Sequence, residues 1–323
     1  MTMRLFLRLT LGVLIACIFF WLLIKNISLE EAKDILHQAS FAWLFLAIFF
    51  FFLGYTCRIQ RWRLMLSLDN STIKWQQCAG PFMASIAANN VLPLRAGDII
   101  RCFGFNGKLG INVATSISAL LVERLLDVFM LLLFLGLANI SFSFNFSSLT
   151  GLSGGGLIAA AIGVFLMLLF PSLFKPLILS INYGIDLILP KIGKALHTQF
   201  QKIFAALDQF SQKLIMSQLL LWSFLAWCGE GVVFLLVAKA LPTLDNVLAG
   251  LLAFPLGTLA TIIPSTPGYA GTFDYFTAQA MIFLGNTVAS ATVYALLIHI
   301  VLWLPATVAG GFYFLFNPVH IKK

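Results

Sequence analysis

The stretch CAGPFMASIAANNVLPLRAGDIIRCFG, residues 78–104, decides how this chain is built. It opens as an apolar helix over Cys78–Leu94, runs into Pro93, Arg95, Gly97 and Asp98, and resumes weakly to Gly107. A proline lacks a donor N–H, and a break at this depth frees backbone groups that hydrocarbon cannot satisfy. Such a break is tolerated only inside protein or beside a wet cavity. The stretch therefore reads as a re-entrant helical hairpin. A second stretch behaves alike. Val247–Ile263 contains Pro255 and Gly257, breaks at Pro264-Ser-Thr-Pro267-Gly268, and resumes to Leu284.

Around these two stretches lie six apolar runs long enough to read as full spans, at 5–24, 41–57, 112–138, 156–174, 214–238 and 287–316. The chain is 60% hydrophobic and only 10% charged, with 32 Phe among its 323 residues, which excludes a soluble domain. The expected fold is thus an all-α polytopic membrane protein with about six transmembrane helices and two Pro/Gly-broken hairpins. The run Leu5–Ile24 shows no small-residue cleavage site and reads as an uncleaved first span. Five cysteines and four histidines are scattered without CxxC or HxxxH spacing, so no metal or cofactor is expected. The net charge of +8 is read as loop charge facing the cytoplasm, not as a nucleic-acid surface.

The distribution of that charge sets the topology. With both hairpins returning to their side of entry, the N-terminus, loop 58–77, loop 175–213 and the C-terminus share one side. That side, with Lys108, collects 14 of the 20 Lys and Arg, among them Arg58, Arg61 and Arg63. The opposite side holds Lys25, Lys33 and Lys239, while Arg95, Arg101 and Arg124 fall at membrane depth. Both termini are then cytoplasmic, in a cytoplasmic (inner) membrane. Two full crossings in place of each hairpin fit the charges equally well.

The order span, span, broken hairpin, span occurs twice, giving inverted halves at 1–138 and 156–316 within one membrane domain. Pro93-x-x-x-Gly97-Asp98 and Pro264-x-x-x-Gly268 occupy corresponding places. Between the halves, residues 191–213 of loop 175–213 place Ile192, Leu196, Phe200, Phe204, Leu207 and Phe210 on one helical face, as an interfacial helix would. Ser28-Leu-Glu-Glu31 reads as a capping box on a short outer helix.

A charge in mid-membrane costs roughly 2.5–3.5 kcal/mol on insertion scales, so each needs a partner or a task. Arg95, Asp98 and Arg101 recur every three residues and share a helical face. Glu123 and Asp127 are four apart, with Arg124 three before Asp127. Asp274 follows the second break, and Glu230 is a lone carboxylate within an apolar span. Arg95, Asp98, Arg101, Arg124 and Asp274 are candidates for binding an anionic headgroup, since guanidinium forks onto phosphate. Glu123, Asp127 and Glu230 are candidates for carrying protons. Pro93, Gly97, Pro264, Pro267, Gly268 and Gly271 are the hinge positions. The competing reading pairs Arg124 with Asp127 and Arg101 with Asp98 as structural ion pairs. His299 reads as a satisfied interhelical donor.

Asn90-x-x-Pro93-x-Arg95-x-Gly97-Asp98-x-x-Arg101, Glu123-Arg124-x-x-Asp127 and Pro264-x-x-Pro267-Gly268-x-x-Gly271-x-x-Asp274, in this order, resemble the lysylphosphatidylglycerol synthase transmembrane-region family. This is the flippase half of multiple peptide resistance factors, and the resemblance covers nearly the whole chain. The family pattern often carries Glu where Asp98 and Asp274 stand and a small residue near Tyr269. The resemblance implies handling of a membrane lipid or lipid-linked sugar, with membrane lipids as partners and lipid-synthesising or glycosyltransferase enzymes as candidate associates. Only Asn317–Lys323 follow the last span, so an aminoacyl transferase domain is not expected here. The chain carries no G-x-x-x-x-G-K-[ST] loop, which leaves ATP hydrolysis without support. The leading expectation is a lipid flippase, possessing no enzyme activity and drawing on a proton gradient or downhill flow. The alternatives are an intramembrane enzyme acting on a lipid phosphate, which wants a nucleophile and a His/Asp constellation, and a non-transporting partner of a glycosyltransferase.

Overall fold

The computed structural model describes residues 14, 17–25, 27–142, 154–173, 175–176, 179–180, 183, 200–201, 204, 207–262 and 267–317. Among the described residues there are helices and turns but no strand. The helices are α1 (Leu29–His37), α2 (Phe41–Leu66), α3 (Trp75–Val91), α4 (Ala96–Gly104), α5 (Asn106–Leu109), α6 (Val113–Ser141), α7 (Gly154–Leu169), α8 (Lys213–Ala240), α9 (Gly250–Ala260), α10 (Thr272–Phe283) and α11 (Val288–Phe316). Helices α2, α8 and α11 are long and apolar enough to cross a membrane. Helix α6 is as long as α11 but carries Glu123, Arg124 and Asp127. This is an all-α, multi-pass membrane protein.

Apolar helices in lipid gain little from burying one another, so they associate where small residues let backbones approach. The sequence supplies such residues at each crossing. Gly54 of α2 and Gly229 of α8 face each other, and a Cβ on Gly229 would lie 3.4 Å from the Gly54 Cα. Ser40 N–H donates to Ala240 O (2.8 Å), so α2 and α8 run antiparallel. Gly310 of α11 lies against the Met83 carbonyl of α3, and Gly257 of α9 lies against the Thr277 hydroxyl of α10. Ser28 caps α1 by accepting from Glu31 N–H at 3.1 Å, as its sequence pattern predicts.

Both broken stretches are helical hairpins with antiparallel arms. In the first, α3 and α4 are joined by a 3-10 turn at Pro93–Arg95. Asn89 near the tip binds Asp98 (2.9 Å), and Arg101 further back lies 4.7 Å over the Phe82 ring. In the second, Asn246 N–H donates to Asn286 Oδ1 (2.9 Å) at the base, while Gly257 meets Thr277 toward the tip. At 1.5 Å per residue α3 is about 26 Å long, α4 about 14 Å, α9 about 17 Å and α10 about 18 Å. Each is shorter than the ~30 Å hydrocarbon core of a bilayer.

The hairpins approach from opposite ends of α11, which is about 43 Å long. At its N-terminal end Ser290 Oγ donates to Thr243 O (3.1 Å), beside the base of the second hairpin. At its C-terminal end Asn317 accepts from Lys108 Nζ (2.7 Å), beside the base of the first. The tips meet midway. Asn90 Nδ2 donates to Thr307 Oγ1 (2.9 Å), Trp303 Nε1 donates to Asn90 O (3.3 Å), and the Arg95 guanidinium lies 5.4 Å over the Tyr269 ring.

Helix α2 departs from the expected span. The sequence reading ends it at 57 and assigns Arg58, Arg61 and Arg63 to a cytoplasmic loop, whereas the helix continues to Leu66. Arg61 is 0% exposed. A 17-residue span would reach only about 26 Å, so the helix needs these extra turns to cross. The first span is described only at 14 and 17–24, where Phe19 packs on Tyr275 (5.1 Å). Of the amphipathic segment 191–213, Phe204, Leu207 and Phe210 are buried in the core, while 191–199 and several later positions lie outside the described residues.

Candidate functional site

Four helices carry interlocking buried ion pairs. Arg101 of α4 donates to Glu123 of α6 (2.8 Å), and Arg124 of α6 donates to Asp98 of α4 (2.7 Å). Arg61 of α2 donates to Asp127 of α6 (2.9 Å) and to the Ser223 hydroxyl of α8 (2.9 Å). Trp227 Nε1 also donates to Asp127 (3.2 Å). Arg58 of α2 pairs with Glu230 of α8, its guanidinium lying 4.2 Å over the Trp227 ring. Glu230 is ten residues from the end of α8, about 15 Å along it and so near mid-bilayer.

These pairings correct the sequence reading in two respects. The pairs expected within one helix are the long ones, Arg101 to Asp98 at 3.9 Å and Arg124 to Asp127 at 3.7 Å, whereas the short ones cross between helices. Residues three apart on a helix point their charges in parallel, and a facing helix can meet them head-on. Glu230 is not alone either, because Arg58 reaches it from α2. A carboxylate without a local partner in an apolar span demands a distant cation, and a short span ending in arginines supplies it.

The tips of the two hairpins border an open cavity of about 200 Å³ among these charges. Arg58, Arg95, Arg124, Glu230 and His299 face it, with Trp227, Tyr269 and Trp303 as aromatic walls. Arg124 keeps 35% of its side chain exposed despite two carboxylates. Arg95 makes no ion pair among the described residues, and its one hydrogen bond is a long one to Thr261 O (3.4 Å). Arg95 (φ 52°) and Tyr269 (φ 64°) both take left-handed backbone, rare for residues with a Cβ. Their positions at the tips turn both side chains toward each other. Gly97 is required by contact: a Cβ there would run into the Ser85 carbonyl of α3. Gly268 (φ 73°) and Gly271 (φ 88°) use backbone that glycine adopts freely.

Of the residues singled out in the sequence, Arg95 and Arg124 line the cavity, as does Glu230. Asp98 holds Arg124 in place from behind, fixed itself by Asn89 Nδ2 (2.9 Å). Arg101, Glu123 and Asp127 are buried pairs outside the lining, and Arg101 sits between the Phe82 and Trp62 rings (4.7 and 5.4 Å). Asp274 is buried at the start of α10, accepting from Gly271 N–H (2.8 Å), with its other oxygen 2.7 Å from His299 Nδ1. Pro93 opens the first turn and Pro267 the second, while Pro264 lies outside the described residues. The sequence reading finds no His/Asp constellation beside the arginines, yet Asp274 and His299, 25 residues apart, pair next to the cavity, which His299 lines with Asp274 buried behind it. Their spacing shows nothing of this, because the loop between α10 and α11 brings them together. Among the described residues no group of three His, Cys, Asp or Glu could hold a metal.

Fold and site thus define a multi-pass helical membrane protein with a charged cavity where two broken helical hairpins meet. The model of the lysylphosphatidylglycerol synthase TM region family matches residues 9–310, and the chain belongs to that family. No curated protein matches the chain.

Proposed function

We propose that this protein is a lipid flippase that carries an anionic or sugar-linked headgroup across the cytoplasmic membrane, its phosphate resting on Arg95 and Arg124. The observation carrying this reading is the cavity at the meeting point of the two tips, with one guanidinium unpaired among the described residues and another one-third exposed. A guanidinium left without a carboxylate in a membrane protein calls for an anion from elsewhere. The hairpins are re-entrant in this reading, since their arms are too short to cross, and they belong to two inverted halves with both termini cytoplasmic. A central site between paired, interrupted segments is the arrangement secondary transporters use.

An enzyme acting on the lipid phosphate would use the Asp274–His299 pair as a base, and this keeps that alternative in view. The nucleophile it needs has no support. The cavity hydroxyls Thr258 and Thr261 donate to the carbonyls of Phe254 (2.7 Å) and Thr258 (2.7 Å), which leaves neither poised for attack. Transport without chemistry is the better fit.

The test is reconstitution into liposomes carrying a trace of acyl-labelled phosphatidylglycerol, with transbilayer movement followed by quenching of the outer leaflet. Protein-dependent movement that Arg95→Ala/Arg124→Ala removes is expected. Movement equal in the variant and the parent would end the assignment of the phosphate to these arginines. A chemically altered lipid in the same vesicles would favour the enzyme.

A further inference from the structure

We infer that His299 selects the headgroup, accepting a hydrogen bond from a hydroxyl or ammonium group on a phosphodiester lipid held by Arg95 and Arg124. The inference rests on the lipid reading above and adds which heads the cavity takes. It begins with Asp274, which is 1% exposed and accepts from the Gly271 N–H on one oxygen. The other oxygen lies 2.7 Å from His299 Nδ1. An ionised carboxylate only accepts, so the hydrogen of this bond belongs to Nδ1. The neutral ring is then the Nδ1–H tautomer, and Nε2 carries a lone pair.

The ring cannot easily turn to hide that lone pair. Phe273 packs on it edge-on, with centroids 5.3 Å apart and planes at 78°. No hydrogen bond reaches Nε2 among the described residues, and His299 lines the cavity with its side chain 18% exposed. Two neighbouring polar groups are engaged on one atom each. Asn90 Nδ2 serves Thr307, and Glu230 is held by Arg58. The same cavity therefore offers cations for a phosphate and an oriented acceptor for a donor on the same head. A site with such an acceptor disfavours a head that lacks a donor, because the acceptor is desolvated without return.

Phosphatidylglycerol and phosphatidylethanol carry the same charge, but only the first has headgroup hydroxyls. Binding of short-chain, acyl-labelled forms of both, with phosphatidylethanolamine as the ammonium probe, is measured by anisotropy on the full chain in detergent, at mildly alkaline pH. The parent protein is expected to prefer phosphatidylglycerol over phosphatidylethanol by roughly three- to tenfold. His299→Phe should bring both to the weaker level. Asp274→Asn gives a test of orientation. Its amide can still accept from Gly271 and now donates to Nδ1, which moves the ring hydrogen to Nε2. A hydroxyl can accept from that hydrogen and an ammonium cannot, so phosphatidylethanolamine should weaken while phosphatidylglycerol persists. Each comparison is a ratio between lipids within one protein, so a partly folded variant does not distort it. Equal binding of phosphatidylglycerol and phosphatidylethanol by the parent, or a preference that survives His299→Phe, would overturn the role of His299. If that binding still needs Arg95 and Arg124, the lipid reading stands. Failure of the parent to bind any of the three would overturn both.

Discussion

Removing Arg101 tests whether the buried pairs are worth what their burial implies. Arg101 is 2% exposed and Glu123 3%, and their 2.8 Å bond runs between α4 and α6. Arg101→Met keeps most of the stem that lies between Phe82 and Trp62 but leaves Glu123 charged, buried and unanswered. Breaking one side of a buried pair costs about 3–5 kcal/mol, mostly the cost of the orphaned charge. Replacing both partners by apolar groups removes that charge, so Arg101→Met/Glu123→Leu should recover most of the loss and approach neutrality. Unfolding free energies from SDS titration in mixed micelles, for the parent, both single variants and the double, complete the cycle. A double variant as unstable as Arg101→Met would refute the reasoning. The cost would then come from the packing of the guanidinium on its two rings, and not from the stranded carboxylate.

Glu230→Gln should abolish flipping driven by a proton gradient, and rates that stay constant across pH in the parent would end the coupling idea. Arg58→Ala leaves Glu230 in an apolar span and should lower stability by a few kcal/mol, recovered in part by Arg58→Ala/Glu230→Ala, as SDS titration would report. Gly97→Val should cost about 1–3 kcal/mol through collision with the Ser85 carbonyl and the Asn89 side chain, read as a lower midpoint in the same titration. Gly268→Ala should lose about 1–2 kcal/mol, because φ is +73° and a Cβ would sit 2.9 Å from Trp303 Nε1. Unchanged thermal stability of purified Gly268→Ala would show that the second turn can adopt another backbone.

The two breaks are legible because proline and glycine act locally: Pro93 directly follows the cap of α3, and Pro267 and Gly268 form the turn that precedes α10. The clustering of Arg95 and Arg124 is legible in outline for the same reason, since charge in an apolar run always needs an account. Which charge meets which is not legible. Arg124 has Asp127 three residues away yet takes Asp98 at 2.7 Å, because the facing helix offers the straighter approach. Arg58 is lost to the positive-inside rule, which reads any arginine past an apolar run as loop; only the shortfall in length of 41–57 gives it away. His299 carries no local signal, since its partner Asp274 lies on another helix, α10, and its cavity is formed by tips more than 150 residues apart in the chain.

His299, Trp303 and Thr307 follow one another every four residues along a single stripe of α11. The first holds Asp274 of one hairpin, and the other two hold Asn90 of the opposite one. Both tips are therefore registered to the same ruler, although they come from opposite ends of the molecule. If α11 tilts as a rigid rod, it carries both tips with it; if one tip slides alone, it must first let go of its own marks on that stripe. If the protein is the flippase proposed above, access from the two sides of the membrane would be referred to this one helix, and the order in which its three side chains release their partners would set which side opens first.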